Sequence, residues 1–463
     1  MKMFIPMLAA SLFLVGCGGG SSTGSESVNS TSTSTSTTSG DTSTSTDTSG
    51  NQVSSKPNIL LIIADDQGVD ASAQYSYSTD LPNTPIINQI ATQGIVFDNA
   101  WATPACTTTR GTLITGMHGI NSDVSFIPAE LDTDTFTLQR YLKSVSDSSN
   151  YQTAVIGKWH LGGGNPDVSH PIESGVDYYA GTISGTISDY EDWTLTIDGA
   201  TEQSTEYHTR KMTDIAIDWL ALQHQDNNPW FLWLSYVAPH SPFHLPPADL
   251  HNRNELSGTA EHIDANKREY YFAAIEAMDA EIGRLLSSMS TAERNNTIII
   301  YIGDNGTPAT VLDRQVYSTR GHSKGTIYEG GIRIPMIVAG NGVTRMGERE
   351  TALVNTSDFY ATFGQLLGAT TTQVNDSFSF MDLLTTEGEG LREYNYSEFE
   401  STDVTGWTVR NADYKYIELV DGTRELYKVS DDLAEANDLL LTSENFDTLI
   451  EQLSGQGRLI RGE

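Results

Sequence analysis

Residues 58–66 read "NILLIIADD", an unbroken apolar run that stops on two aspartates. A strand with one wet face alternates apolar and polar residues. This one does not, so it reads as a strand buried on both faces, the mark of a largely parallel sheet. Downstream, "TPIINQIATQG" (84–94) has helical spacing, with Pro85 near its start and Gly94 as a stop. "GIVFDNAWA" (94–102) reads as the next strand, and further buried strands are expected over 152–156, 231–237, 297–302 and 332–338. Helical patterns fall between them, as at 209–223 and 267–289. Strands alternating with helices predict an α/β fold with crossover connections: a large mixed, mostly parallel sheet flanked by helices.

After about residue 390 the texture changes. "GWTVRNADYKYIELVDGTRELYKV" (406–429) predicts short antiparallel strands with Asp421-Gly422 as a tight turn, followed by an acidic amphipathic helix. This is a small C-terminal antiparallel-sheet subdomain, expected over 391–463. Upstream, "MKMFIPMLAASLFLVGC" (1–17) has a lysine, a short apolar core and a Leu-Val-Gly-Cys ending. The core is too short to span a bilayer and reads as a signal peptide. Its ending resembles a bacterial lipobox, in which Cys17 carries a lipid; an ordinary cleaved signal is the other reading. Residues 18–55 are Gly-, Ser- and Thr-rich with almost nothing apolar, a flexible tether. The expected location is the cell envelope of a Gram-negative bacterium, periplasm or outer membrane, with membrane attachment through Cys17.

The chain has only two cysteines. If Cys17 carries lipid, Cys106 is left without a disulfide partner in a disulfide-permissive compartment. The formal net charge of -34 argues against a nucleic-acid partner bound through a broad basic face.

Ligands of open α/β sheets bind at the carboxyl ends of strands. Asp65-Asp66 close the first strand, and Asp304-Asn305 close "TIIIYIGDNG" (297–306). Three carboxylates and an amide oxygen suit calcium or magnesium, while solvated strand-end turns are the plain alternative. "YQTAVIGKWHLG" (151–162) runs a strand into Lys158 and His160. "YVAPHSPFHLP" (236–246) places His240 at another strand end, where a ring able to exchange a proton near neutral pH is useful. "RGHSKGTIYEGGIRIP" (320–335) sets Lys324 in a glycine-rich loop. Each alone reads more readily as a surface lysine or a satisfied histidine. Together with Arg110 they suit cleavage of a charged ester, in which cations offset negative charge.

These pieces stand in a telling order. "PNILLIIADD", "PACTTTRGTLITG" (104–116), "YQTAVIGKWHLG", "APHSPFH", "YIGDNG" and "KGTIYEGGIRIP" resemble the type I, formylglycine-dependent sulfatases of the alkaline-phosphatase-like superfamily. The segment 407–439 resembles that family's small C-terminal subdomain. The resemblance implies a sulfatase catalytic domain over 56–390 and removal of sulfate from a sulfated carbohydrate, a polysaccharide or its oligosaccharides. It implies that a formylglycine-generating maturation enzyme converts Cys106 to 3-oxoalanine, whose hydrate attacks sulfur. Ca2+ would be held by Asp65, Asp66, Asp304 and Asn305, with an oxygen of matured Cys106 completing the shell. It further implies Arg110 beside the diol, Lys158 and Lys324 on sulfate oxygens, His240 protonating the leaving alcohol, and His160 helping to expel sulfate. Two other readings stay open: a phosphate or phosphonate monoester hydrolase with the same nucleophile, and a catalytically silent glycan-binding relative.

One position departs from the family pattern Cys-X-Pro-X-Arg. Thr108 stands where proline is usual, neither fixing φ nor removing an N–H. This bears on which maturation enzyme acts and how completely. His244, His251, Arg253, His262, Arg314, Arg320 and His322 lie in predicted loops near the same edge and are candidate sugar contacts.

Overall fold

The computed structural model describes residues 56–146, 150–318, 321–401 and 405–463. Cys17, the signal segment, the Ser/Thr-rich tract and Arg320 lie outside the described residues.

A ten-stranded sheet has the order β10-β2-β9-β8-β1-β7-β3-β4-β5-β6. Its strands are β1 (Asn58–Ala64), β2 (Gly94–Trp101), β3 (Gln152–Lys158), β4 (Tyr178–Thr182), β5 (Trp193–Ile197), β6 (Ala200–Ser204), β7 (Trp230–Ser235), β8 (Thr297–Gly303), β9 (Met336–Gly340) and β10 (Glu348–Asn355). The central run β8-β1-β7-β3-β4 is parallel throughout. The continuous apolar run of β1 is explained by its position in the middle. Ile59, Leu61 and Ile63 enter one apolar cluster, while Leu60, Ile62 and Ala64 enter another on the opposite face. Alternate side chains point to opposite faces, so both faces must be covered. Helices α1 (Pro85–Thr92), α3 (His208–Asp226) and α4 (Lys267–Ser288) supply one cover; α2 (Cys106–Thr115) lies against the other. No helix among the described residues is long and apolar enough to cross a membrane.

Two expectations shift. The strand expected over 332–338 begins at Met336, because Glu329–Ile332 form a helical turn first. It also runs antiparallel to both neighbours, β2 and β8. Gly94 does not stop α1, which ends at Thr92; it opens β2 instead. A Cβ on Gly94 would sit 2.3 Å from the Val338 carbonyl oxygen, so the glycine serves the close approach of β2 and β9.

Beyond the minimal ladder of β11 (Gln373–Val374) and β12 (Ser377–Phe378), a four-stranded antiparallel sheet follows. It comprises β13 (Asn395–Phe399), β14 (Gly406–Arg410), β15 (Lys415–Leu419) and β16 (Arg424–Tyr427). Asp421-Gly422 turns β15 into β16, with Gly422 at φ +88°. Helix α5 (Asp447–Ile460) packs on this sheet through Leu453, against Trp407, Tyr416 and Leu426.

Candidate active site

Strand order brings the quoted motifs together. β8 and β1 are neighbours in register, Gly303 beside Ala64, so Asp304-Asn305 and Asp65-Asp66 leave the sheet side by side. β3 lies one strand beyond β7, with Gly157 opposite Ser235, and delivers Lys158 from the other direction. A Cβ on Gly157 would lie 1.8 Å from the Ser235 carbonyl oxygen, so only glycine lets these strand ends converge.

Cys106 is the first residue of α2 and is 2% exposed. The turn before it is held by hydroxyls. Thr108 Oγ1 donates to the Ala105 carbonyl at 2.9 Å and also meets Thr103 Oγ1. The Thr103 N–H donates to Thr109 Oγ1 at 3.1 Å. Thr108 thus ties its own side chain to the backbone three residues back, a bond open to threonine and closed to proline.

Inside the turn, Lys158 Nζ donates to Asp65 Oδ2 at 2.5 Å, both side chains fully buried. The Arg110 guanidinium donates to Asp304 Oδ2 at 2.9 Å, to the Lys158 carbonyl at 2.8 Å and to Ser235 Oγ at 2.5 Å. Lys324 Nζ lies 2.5 Å from Asp66 Oδ1, which also accepts from Asn305 Nδ2 at 2.9 Å. His240 Nε2 lies 3.7 Å from Asp66 Oδ2. Its Nδ1 lies 2.6 Å from the Ser241 carbonyl oxygen. A carbonyl only accepts, so Nδ1 carries a proton and Nε2 is the exchanging nitrogen. Asp66 and His160 adopt positive φ, +73° and +58°, uncommon values of the kind that cluster at functional sites.

Charge in this cluster is divided unequally. Burial opposes ionisation of Asp65, yet Lys158, His240, Arg110 and Lys324 hold it well below the carboxylate range. Burial and then Asp65 push Asp304 up to about 7, against Arg110 and Lys158. Two carboxylates this close resist joint ionisation unless a cation lies between them. Two buried oxygens, Asp65 Oδ1 and Asn305 Oδ1, have no hydrogen-bond partner among the described residues. Ligand atoms of Asp65, Cys106 and Asp304 lie within 4.8 Å of one another. Unsatisfied hard oxygens beside crowded carboxylates fit a divalent cation of the calcium type.

Burial pushes the Cys106 thiol up, with Lys158 and Lys324 pulling the other way. An inert buried thiol is a poor nucleophile as it stands. Burial, followed by Lys158 and Arg110, drives His160 down to about 2, so its imidazole is neutral at any ordinary pH. Gly185 leaves room for it: a Cβ there would fall 2.1 Å from His160 Nε2.

Every residue expected in the site from Asp65 to Lys324 therefore gathers at one edge, and the described candidate sugar contacts each have a partner or a buried place of their own. His244 is stacked on Tyr190 at 3.8 Å, His322 on Tyr328 at 3.7 Å, and His251 is buried. Arg253 is paired with Glu269 and Glu276, His262 Nδ1 meets the Tyr270 hydroxyl at 2.7 Å, and Arg314 is exposed and bonded to the Ala309 carbonyl. Ser235, which orients Arg110, was not singled out in the sequence; its position at a strand's carboxyl end is the signal that marks it. Asp66, His240 and Lys324 open into a cavity of about 660 Å³.

Residues 57–369 match the family model described as Sulfatase. The chain belongs to the sulfatase family. Residues 320–460 also match the model described as N-sulphoglucosamine sulphohydrolase, C-terminal. Among related sulfatases, the chain is 28% identical over 365 residues to arylsulfatase J of Mus musculus, covering 74% of this chain and 58% of that relative. It thus spans little more than half of that protein's length. It is 26% identical over 429 residues to an ulvan-active sulfatase of Formosa agariphila, covering 87% and 80%. The fold matches Ps i-CgsB, solved in complex with k-i-k-neocarrahexaose, with a TM-score of 0.72 at 23% identity over 88% of this chain and 93% of that one.

Proposed function

We propose that this sulfatase-family protein hydrolyses sulfate esters of a sulfated carbohydrate after Cys106 is converted to formylglycine, with Ca2+ held by Asp65, Asp66, Asp304 and Asn305. The observation that carries this reading is the pair of orphaned buried oxygens, Asp65 Oδ1 and Asn305 Oδ1. They lie among four carboxylate and amide side chains flanked by Lys158, Arg110 and Lys324 and next to the buried Cys106. The matured side chain supplies the attacking oxygen, and the cation offsets charge on the sulfate. Ulvan and neocarrahexaose, named with two of the proteins it is similar to, support a polysaccharide substrate.

The chain's own residues then have distinct work. Lys158 and Lys324 bind sulfate oxygens and lower the cost of gathering negative charge. Arg110 neutralises Asp304 and, through the Lys158 carbonyl and Ser235, fixes the end of β3. His240 gives the proton on Nε2 to the leaving alcohol, its ring oriented by Nδ1–H donating to the Ser241 carbonyl. His160, held neutral, offers a ring nitrogen to a hydroxyl of the matured side chain. We place the protein at the cell envelope, anchored through Cys17, on the strength of the lipobox-like sequence.

Paired assays test the reaction class. 4-Nitrophenyl sulfate should be turned over with kcat/KM at least a hundredfold above that for 4-nitrophenyl phosphate. A phosphate preference of orders of magnitude would install the phosphomonoesterase reading instead. Treatment with EGTA should cut the sulfatase rate at least tenfold and lower the Tm by several degrees, because a ligand bound only by the native state stabilises it. Added Ca2+ should restore both.

A further inference from the structure

The cavity over Asp66, His240 and Lys324 is far roomier than one sulfate group requires, about 660 Å³. One wall is apolar, built from Pro242, Phe243, Ile263 and Pro308. The Phe243 ring is set by an edge-on contact with Tyr271 at 6.3 Å and 88°. A rigid aromatic surface beside convergent polar groups is the usual make-up of a ligand site. Besides Lys324, the lining carries one more cation, Lys267, the first residue of α4.

Lys267 differs from the arginines around it. Arg253 is bound to Glu269 and to the buried Glu276, and Arg268 to Asp80, Asp313 and Asp70. Both guanidiniums lie over the Phe272 ring, at 4.9 and 4.5 Å. Turning either toward a ligand would strand buried carboxylates. Among the described residues Lys267 has one ionic partner, Asp264, at 2.6 Å; Asp264 is 79% exposed. An exposed pair of this kind is weakly held, and water readily replaces one partner. Lys267 is therefore a lining cation that is free to exchange partners.

We propose that this cavity holds the sugar and that Lys267 binds a second anionic group of the substrate, a sulfate or carboxylate carried besides the sulfate being removed. The proposal rests on the sulfatase reading and narrows its substrate to multiply charged carbohydrates. It also addresses an electrostatic difficulty, since a chain of net charge -34 repels polyanions until a local cation captures them.

The test measures binding in a Cys106→Ala background, which cannot turn probes over, by titration calorimetry. The probes are κ-neocarrabiose with one sulfate, ι-neocarrabiose with two, and a monosulfated chondroitin disaccharide whose second charge is a carboxylate. The expected wild-type preference for a doubly charged probe falls at least tenfold in Lys267→Glu and persists in Lys267→Arg, with thermal melting unchanged. Loss for ι-neocarrabiose alone identifies sulfate as the second group; loss for the chondroitin probe alone identifies carboxylate. A preference that survives Lys267→Glu, equal loss for singly and doubly charged probes, or failure of every doubly charged probe to bind overturns the proposal. The sulfatase reading fails separately, through the absence of 4-nitrophenyl sulfate turnover by the mature enzyme.

Discussion

Lys158→Ala is expected to lower kcat for an aryl sulfate by about 10²–10³, the usual loss when one preorganised charge donor is removed. In the presence of EGTA it should also lose about 3–5 kcal/mol of stability, because the buried Asp65 then loses the cation bonded directly to it. Lys324→Ala provides the contrast. Its side chain is 20% exposed and its partner Asp66 retains the bond from Asn305. A kcat loss of similar size should therefore come with a much smaller stability change. Urea unfolding and initial rates on the two variants separate the roles. Equal stability losses would show that Lys158 carries no special burden in holding the carboxylates together.

The second large effect lies outside the site. Lys415 Nζ is 2.6 Å from Glu435 Oε1 and 3.3 Å from Glu329 Oε1, all three side chains being fully buried. Arg333 Nε reaches the other oxygen of Glu329 at 2.5 Å. The cluster fastens the C-terminal sheet to the loop carrying Lys324, whose backbone is also bound to Thr307 and, through Gly325, to Pro104. Lys415→Met should cost about 3–5 kcal/mol by taking from the buried Glu435 the cation bonded to it. Adding Glu435→Gln should recover most of that loss.

The same cluster has a pH signature. Burial pushes Glu435 up to about 7, Lys415 opposing and Glu329 adding to the shift. Although burial works against it, Arg333 and Lys415 hold Glu329 down to about 2. Glu435 thus keeps a proton in the native state that the unfolded chain releases from pH 4.5 upward. Its contribution is complete below about pH 4.5 and declines by about 3 kcal/mol as pH rises through 7. The native chain should lose more stability between pH 5 and 8 than Glu435→Gln does. Parallel slopes would remove Glu435 as the cause.

The sequence exposed the centre of the molecule far better than its margins. β1, β3, β7 and β8 are buried on both faces, so their apolar runs are unmistakable and their carboxyl ends could be read as one edge. β6 is a polar edge strand, "ATEQS", and β10 begins "ERE"; neither carries a run that announces a strand. Asp65, Asp66, Lys158, His160, His240, Asp304 and Asn305 were legible because they stand at or just after the ends of buried strands. Ser235 and Lys267 were not, since their significance depends on what the fold brings near them. The Lys415–Glu435 cluster was equally invisible, joining residues 329 and 435 across a span no local pattern reports. Thr108 is the position whose meaning changed most. In the sequence it stood only as a departure bearing on maturation, whereas in the fold its hydroxyl bonds the Ala105 carbonyl in the turn before Cys106.

Whether Cys106 is a precursor or a bystander can be read directly by mass spectrometry of its peptide from the native, purified protein. Conversion removes the elements of hydrogen sulfide and adds one oxygen atom. The expected result is a peptide lighter by that difference, or its hydrate, in an amount that tracks the sulfatase rate across preparations. A peptide carrying only the free thiol would contradict the proposed nucleophile and leave the catalytically silent, glycan-binding reading in its place.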